Sequence, residues 1–268
     1  MINVGVVGAA GRMGRNIIAS IEDTEGVALG GGTEAAGHPE LGRDLGELAG
    51  LAKMNVVLTD DVTALAEACD VIIDFTLPAV SMHTLKAVVA KNKAVVFGTT
   101  GFSAEQKREI EQAAQTIRCV LAPNMSIGVN VLFKVAGEVA RALGDAYDVE
   151  IVEAHHKFKK DAPSGTAVRV SEIIAEALQR NLNEVGVYGR KGFSEGRGEK
   201  EIGVHTLRAG DIIGEHRVMF GGMGETLEIS HRAQSRQTFA RGSVRAAEWV
   251  AGQPPGLYDM QDVLGLKE

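Results

Sequence analysis

Over the first 121 residues, short apolar runs rich in β-branched side chains alternate with stretches of helical periodicity, and few folds satisfy that alternation. The runs at residues 2–7, 27–33, 54–58, 71–75, 94–97 and 117–121 read as six strands. Between them, Met13, Ile17, Ile18 and Ile21 mark one helix face, and Pro78 opens another helix with Met82, Leu85 and Val89 as its expected buried stripe. Ser103 and Gln106 form a capping box for a third. Because the strands are apolar at nearly every position, both of their faces must be covered, which predicts an α/β domain with a parallel, Rossmann-type sheet.

The rhythm changes after Pro123-Asn124-Met125-Ser126. A helix is expected over 131–143, with Leu132, Val135, Ala136, Val139 and Leu143 on one side, then a strand at 149–153 and a helix at 166–179. Strands follow at 202–208, 213–220 and 225–231, separated by Gly210-Asp211 and by Gly221-Gly222-Met223-Gly224. That succession predicts a smaller α+β domain with an open, largely antiparallel sheet. A last helix with Phe239, Ser243, Ala246, Ala247 and Val250 in phase is expected to return to the first domain. The division is thus 1–126 with 237–268, and 127–236, with residues 123–126 and 235–238 as hinges. The Gly-rich, charged segment 181–203 reads as a mobile excursion with a solvated face.

With 45% hydrophobic and 24% charged residues, a chain of 268 residues can bury two cores without staples. A net charge of −7 opposes a general electrostatic grip on nucleic acid. Cys69 and Cys119 lie in apolar segments without a C-x-x-C partner and read as buried thiols of a reducing compartment. The first residues lack a cationic leader, and the longest charge-free run, 119–133, contains Pro123 and Asn124, so no membrane span and a cytoplasmic location are expected. The 33 glycines against 6 prolines imply many tight backbone turns.

Three of those glycines, Gly8, Gly11 and Gly14, stand where the first strand hands over to the first helix. Lacking Cβ atoms, they let a phosphate approach the helix N-terminus, where unpaired N–H groups favour negative charge. The spacing G-x-x-G-x-x-G differs from the usual G-x-G-x-x-G, and a plain tight βα turn would use the same residues. Glu34 adds context: it ends the second strand, 20 residues after Gly14, where a dinucleotide fold places the acid that holds the adenosine ribose. The expected cofactor contacts are Gly8, Ala9, Ala10, Gly11, Arg12 and Met13 of the loop, together with Glu34. Gly98, Thr99 and Thr100 after the fifth strand, and Ala122, Pro123, Asn124 and Met125 after the sixth, would lie on the same carboxyl edge beside a nicotinamide.

Residues 153–167 are the other concentration of chemistry. His155, His156, Lys157, Lys159 and Lys160 run directly into a Ser164-Gly165-Thr166 helix start, a combination able to hold an anion and move a proton. A surface loop of solvated charges would not need that junction. If the segment is extended, His155, Lys157 and Lys159 share one face and His156, Phe158 and Lys160 the other. Adjacent histidines then diverge, no third ligand stands at a suitable spacing, and no metal site is expected.

Together these segments resemble a known family. GAAGRMG at 8–14, IDFT at 73–76, FGTTGF at 97–102, NMSIGVN at 124–130, EIVEAHHKFKKDAPSGTA at 150–167, RAGDIIGEH at 208–216 and EISH at 228–231 are similar to the 4-hydroxy-tetrahydrodipicolinate reductases, across essentially the whole chain. The resemblance implies an oxidoreductase acting on CH or CH2 groups, which uses NADH or NADPH to reduce 4-hydroxy-tetrahydrodipicolinate to tetrahydrodipicolinate and water in the diaminopimelate route to lysine. It further implies a cytoplasmic homotetramer assembled through the substrate domain, and a small dicarboxylate substrate. His155 then corresponds to a proton donor or acceptor, Lys159 to the proton donor, and His156, Ser164, Gly165 and Thr166 to substrate-binding groups.

Members of that family that use NADPH readily often carry Arg after the ribose acid. Here Ala35 follows Glu34, so NADH preference or dual use is expected, with Arg12 compensating in part. Two rival readings make different demands. A semialdehyde dehydrogenase needs a nucleophilic Cys beside a base, which neither Cys69 nor Cys119 has; an NAD-sensing regulator has no use for the His155–Lys159 cluster.

Overall fold

The computed structural model describes residues 1–193 and 195–267; Ser194, within the 181–203 segment, and Glu268, at the end of the expected 237–268 return, lie outside the described residues. The chain divides into two compact units, Met1–Ile127 with the chain from Arg236 onward, and Gly128–Ser235.

The first unit opens with β1 (Ile2–Val7), α1 (Arg12–Glu22), β2 (Val27–Thr33), α2 (Leu45–Leu48), β3 (Leu58–Thr59), α3 (Val62–Ala68), β4 (Val71–Asp74), α4 (Pro78–Ala90), β5 (Ala94–Phe97), α5 (Ala104–Ala113) and β6 (Arg118–Leu121). Then come α6 (Ile127–Leu143), β7 (Asp148–His155), α7 (Gly165–Ala177), α8 (Leu182–Val185), β8 (Gly186–Tyr188), β9 (Ile202–Arg208), β10 (Gly214–Gly222) and β11 (Glu225–Ala233). The chain returns to the first unit as α9 (Gln237–Ala251), β12 (Gly256–Tyr258) and α10 (Met260–Val263).

The first sheet has seven parallel strands in the order β12-β6-β5-β4-β1-β2-β3. On one face Ile17 and Ile18 of α1 and Ala247 and Val250 of α9 pack with Val4, Val6 and Val96. On the other, Leu65, Val88 and Ile110 pack with Ile72, Val95 and Cys119. Connections leave β1 toward β2 on one side, and the later strands build outward from β4 on the other, so strand order reverses at β1 and opens a crevice at the carboxyl ends.

Two elements differ from their sequence patterns. The third strand was expected over 54–58, but β3 is two residues long, because the amides of Met54 and Val56 donate instead to the Asp44 carboxylate at 3.0 and 3.2 Å. Of the expected stripe on α4, Leu85 is buried and Met82 is partly buried against the core, but Val89 is 40% exposed, and Ser81, Thr84, Ala87 and Val88 are buried in addition. The helix is turned by its hydroxyls, since Thr84 Oγ1 donates to Asp74 at 2.7 Å and Ser81 Oγ pairs with Thr99 Oγ1 at 2.8 Å.

The second unit is a five-stranded sheet in the order β11-β10-β7-β9-β8. It is mixed: β10 runs antiparallel to both β11 and β7, whereas β9 is parallel to β7 and to β8. The parallel half follows from the crossover through α7 and α8, which carries the chain back before it re-enters the sheet. Leu132, Phe133 and Ala136 of α6 and Val170 and Ile174 of α7 cover one face, against Val149, Ile151, Val218 and Phe220.

Segment 181–203 also departs from expectation. It contains α8 and the edge strand β8, and two of its arginines are paired with acids of β7 rather than left to solvent. Arg190 donates to Glu150 at 2.8 and 3.0 Å and to Glu201 at 2.9 Å, while Arg197 donates to Asp148 at 2.7 Å and Glu150 at 3.0 Å. Burial alone would raise the Glu150 carboxyl, but Arg190, His205 and Arg197 together hold it at about 2. Among the described residues, no helix is long and apolar enough to cross a membrane.

Candidate functional site

In the first unit the glycine loop has a backbone of its own making. Gly8 sits at φ +73°, and the Gly8 and Ala9 amides donate to the Thr33 carbonyl at 2.8 and 3.0 Å, so these two residues shape the loop and leave no amide for a ligand. Ala10 N–H donates to Glu34 at 3.3 Å, tying the loop to the acid at the end of β2. What remains is the start of α1. Gly11 is its N-cap and provides no side-chain cap, and the first turn holds no acid. The Arg12 and Met13 amides therefore begin a helix with no carbonyl before them, the arrangement that receives a phosphate. A Cβ on Gly14 would stand 2.3 Å from the Gly8 carbonyl oxygen, so only glycine lets α1 start this close to β1.

The other two loops lie at the ends of β5 and β6. A Cβ on Gly98 would meet the Phe75 ring at 2.3 Å, and Gly101 has φ +84°. Thr100 is exposed, whereas Thr99 is buried and its hydroxyl faces Ser81 and Asp74, which leaves Thr99 only its backbone for a ligand. Ala122 and Met125 belong to the core, Pro123 is exposed, and the Asn124 side chain accepts the Ser126 amide at 2.9 Å. Asp74 of the IDFT segment has a role that its sequence pattern does not assign. Fully buried, its carboxylate accepts from Thr76 N–H at 2.8 Å, Thr76 Oγ1 at 2.6 Å and Thr84 Oγ1 at 2.7 Å, and so ties the end of β4 to α4. An acid inside an otherwise apolar strand was the available signal.

The second unit gathers the histidines and lysines of segment 153–167. β7 ends at His155, and 156–163 is a turning loop, in which Lys159 N–H donates to the His156 carbonyl at 3.1 Å. The period-two expectation for 155–160 therefore fails beyond His155. Lys157, Phe158 and Lys160 are exposed, with the Lys157 ammonium over the Phe158 ring, whereas Lys159 is only 22% exposed and pairs with Asp161 at 2.8 Å. His156 is half-buried with Nδ1 unbonded. Ser164 caps α7 by accepting the Ala167 amide, and its hydroxyl lies 3.2 Å from His216 Nε2. Gly165 and Thr166 form the first turn, which holds no acid, and a Cβ on Gly165 would meet nothing within 4 Å.

Beneath these groups lies a carboxylate to which the sequence reading gave no role. Glu153 is wholly buried; it faces His155 Nδ1 at 2.5 Å, accepts the Ser164 amide at 2.9 Å and takes two bonds from Arg208 at 2.9 Å each. Burial would raise the Glu153 carboxyl, yet the Arg208, His155 and Ser164 donors outweigh it and hold it below the usual range. Burial lowers His155 from the ordinary histidine value, against the pull of Glu153, so the ring rests neutral at neutral pH. His216, edge-on to His155 at 5.3 Å, is pushed down to about 3, chiefly by burial. The Cys69 and Cys119 thiols are both buried and their pKa values raised by burial, to about 11 for Cys69, which removes the thiolate that a semialdehyde dehydrogenase requires.

A parallel sheet with an uncapped, glycine-lined helix start at its switch point, in a chain whose other unit carries a buried histidine–carboxylate–arginine cluster, fits the class of two-domain nicotinamide-dependent oxidoreductases. Known proteins narrow the class. Residues 2–125 match the family described as dihydrodipicolinate reductase, N-terminus, and residues 128–264 match dihydrodipicolinate reductase, C-terminus. The chain belongs to this family. It is 57% identical to the 4-hydroxy-tetrahydrodipicolinate reductase of Geotalea daltonii and 55% identical to that of Syntrophotalea carbinolica, covering 100% of both chains in each comparison. Among solved structures it is similar to a dipicolinate-bound dihydrodipicolinate reductase from Paenisporosarcina sp. TG-14, with TM-score 0.76, 28% identity and 98% of each chain covered.

Proposed function

We propose that this chain reduces 4-hydroxy-tetrahydrodipicolinate to tetrahydrodipicolinate and water with a nicotinamide cofactor, a step on the diaminopimelate route to lysine. The observation that carries the reading is the junction of His155, Lys159 and the start of α7: a neutral base, an ion-paired ammonium and an acid-free helix start within one short segment. Such a helix start suits a ring carboxylate, held by Ser164, Gly165 and Thr166 with His156 beside them. Water loss from the hydroxylated ring yields a conjugated imine. The bound nicotinamide supplies a hydride. Lys159 Nζ then delivers a proton to the ring carbon of the resulting enamine, its cationic charge having stabilised the electron density developing there. The Arg12 and Met13 amides would hold the pyrophosphate, Glu34 the ribose hydroxyls, and the 98–100 and 122–125 loops the nicotinamide.

The test is NADH absorbance. Loss is expected only when freshly generated 4-hydroxy-tetrahydrodipicolinate is supplied; NADH binding without substrate-dependent oxidation would sink the reading in favour of a sensor. The same reading carries a cytoplasmic homotetramer, to be checked by light scattering.

Cofactor choice follows from the end of β2. Glu34 bends back onto the Ala10 amide, and Ala35 offers no cation to a 2′-phosphate. A like-charge pair about 4 Å apart and fully exposed to water costs on the order of 1 kcal/mol. The expected ratio of kcat/KM for NADH over NADPH at equal salt lies between about one and tenfold, with exposed Arg12 limiting it. Strong NADPH preference overturns this expectation.

A further inference from the structure

A carboxylate taken wholly out of water needs a reason, since its desolvation is repaid only where well-placed donors satisfy it. Glu153 is met by four donors from separate parts of the second unit. His155 Nδ1 comes from the end of β7, the two Arg208 nitrogens from the end of β9, and the Ser164 amide from the start of α7. Arg208 also donates to the Asp161 carbonyl at 2.6 Å, and Asp161 pairs with Lys159. One acid and one arginine thus join the histidine, the lysine loop and the helix start that the proposed function uses.

We propose that Glu153, locked by Arg208, is the positioning residue that holds His155 as its Nδ1–H tautomer and so leaves Nε2 as the basic nitrogen of the site. An ionised carboxylate can only accept, so the proton between the two groups belongs to Nδ1 of a neutral ring. Gly214 keeps room beside the other nitrogen, since a Cβ there would stand 3.1 Å from Nε2. The charged and titratable groups around the ring are Glu153 on its own strand, Lys159 and Asp161 on the following loop, Arg208 on β9 and neutral His216 on β10. Glu153 is the anion in direct contact with the ring, and its removal leaves His155 facing two cations.

The inference rests on the proposed function for its kinetic part only. Glu153→Gln places an amide that can donate to Nδ1 and invert the tautomer. The expected result is a kcat lower by about 10²-fold or more, with the substrate KM and NADH affinity changed far less. The acid limb of the kcat/KM profile should move to lower pH by about one unit. Glu153→Asp, which keeps the charge, should restore the position of that limb. A purely structural acid would alter stability without moving the profile, and a folded Glu153→Gln enzyme with native kcat and native profile overturns the proposal. Imidazole nitrogen shifts of His155 in the unmodified protein give a readout independent of substrate and of variant folding. The Nδ1–H tautomer is expected at pH 7, and an Nε2–H tautomer overturns the proposal. If that tautomer is found and the substrate is not turned over, it is the proposed function that has failed.

Discussion

Lys159→Ala is expected to lower kcat by about 10²- to 10⁴-fold, the range for loss of a positioned general acid, and to leave the NADH dissociation constant within about twofold. Lys159 is one of three lysines in a short loop, and geometry separates it from the others. Lys157 and Lys160 are exposed, while Lys159 is drawn into the turn that begins at His156 and held against Asp161 at 2.8 Å. Alanine at 157 or 160 should therefore change kcat several-fold at most. Lys159→Arg divides the two parts of the role: arginine keeps the charge and cannot give up its proton. If the charge alone matters, Arg restores most of the rate; if the proton matters, Arg remains close to Ala. An unchanged kcat in Lys159→Ala removes the residue from the mechanism.

What the sequence disclosed depended on whether a residue's partner was near in the chain. β1, β2 and β5 are short, uncharged, largely apolar runs, and their limits are legible in the sequence because nothing distant competes for them. The capping box at Ser103 and Gln106 is likewise local, and both of its bonds are present. Residues 54–58 failed as a strand because Asp44, ten or more residues earlier, takes their amides. The α4 face was misjudged because a hydrophobic stripe has no means of showing that Ser81 and Thr84 are buried to serve Asp74 and Thr99.

The site divides the same way. The segment 155–166 advertises its charges in sequence, but its supports, Arg208 and His216, lie 55 residues and 52 residues from their partners Glu153 and Ser164. One signal was available all the same. Glu153 falls in phase with Val149, Ile151 and His155 on the buried side of β7, and a charged residue on that side is either paired or functional. Segment 181–203 gave no such phase, because its arginines answer acids on a strand more than 35 residues away.

Gly14→Ala carries the second large effect, in the other unit. The added Cβ would stand 2.3 Å from the Gly8 carbonyl oxygen, 2.6 Å from Ala9 Cα and 2.7 Å from the Ala9 carbonyl oxygen, all backbone atoms that cannot swing aside. The loop is also pinned from behind by the Gly8 and Ala9 amides on Thr33, so the helix start must move outward instead. Overpacking of this kind costs about 1–3 kcal/mol. Displacing the Arg12 and Met13 amides by even a fraction of an ångström weakens a pyrophosphate contact that depends on their direction. NADH affinity, followed by fluorescence titration, should fall at least about tenfold, with a lower thermal midpoint. Gly165→Ala makes the contrast: its Cβ meets nothing within 4 Å, so the fold and NADH affinity should hold while the substrate KM rises. Native NADH affinity in Gly14→Ala would mean that the three glycines only turn the chain, and that the phosphates are held elsewhere.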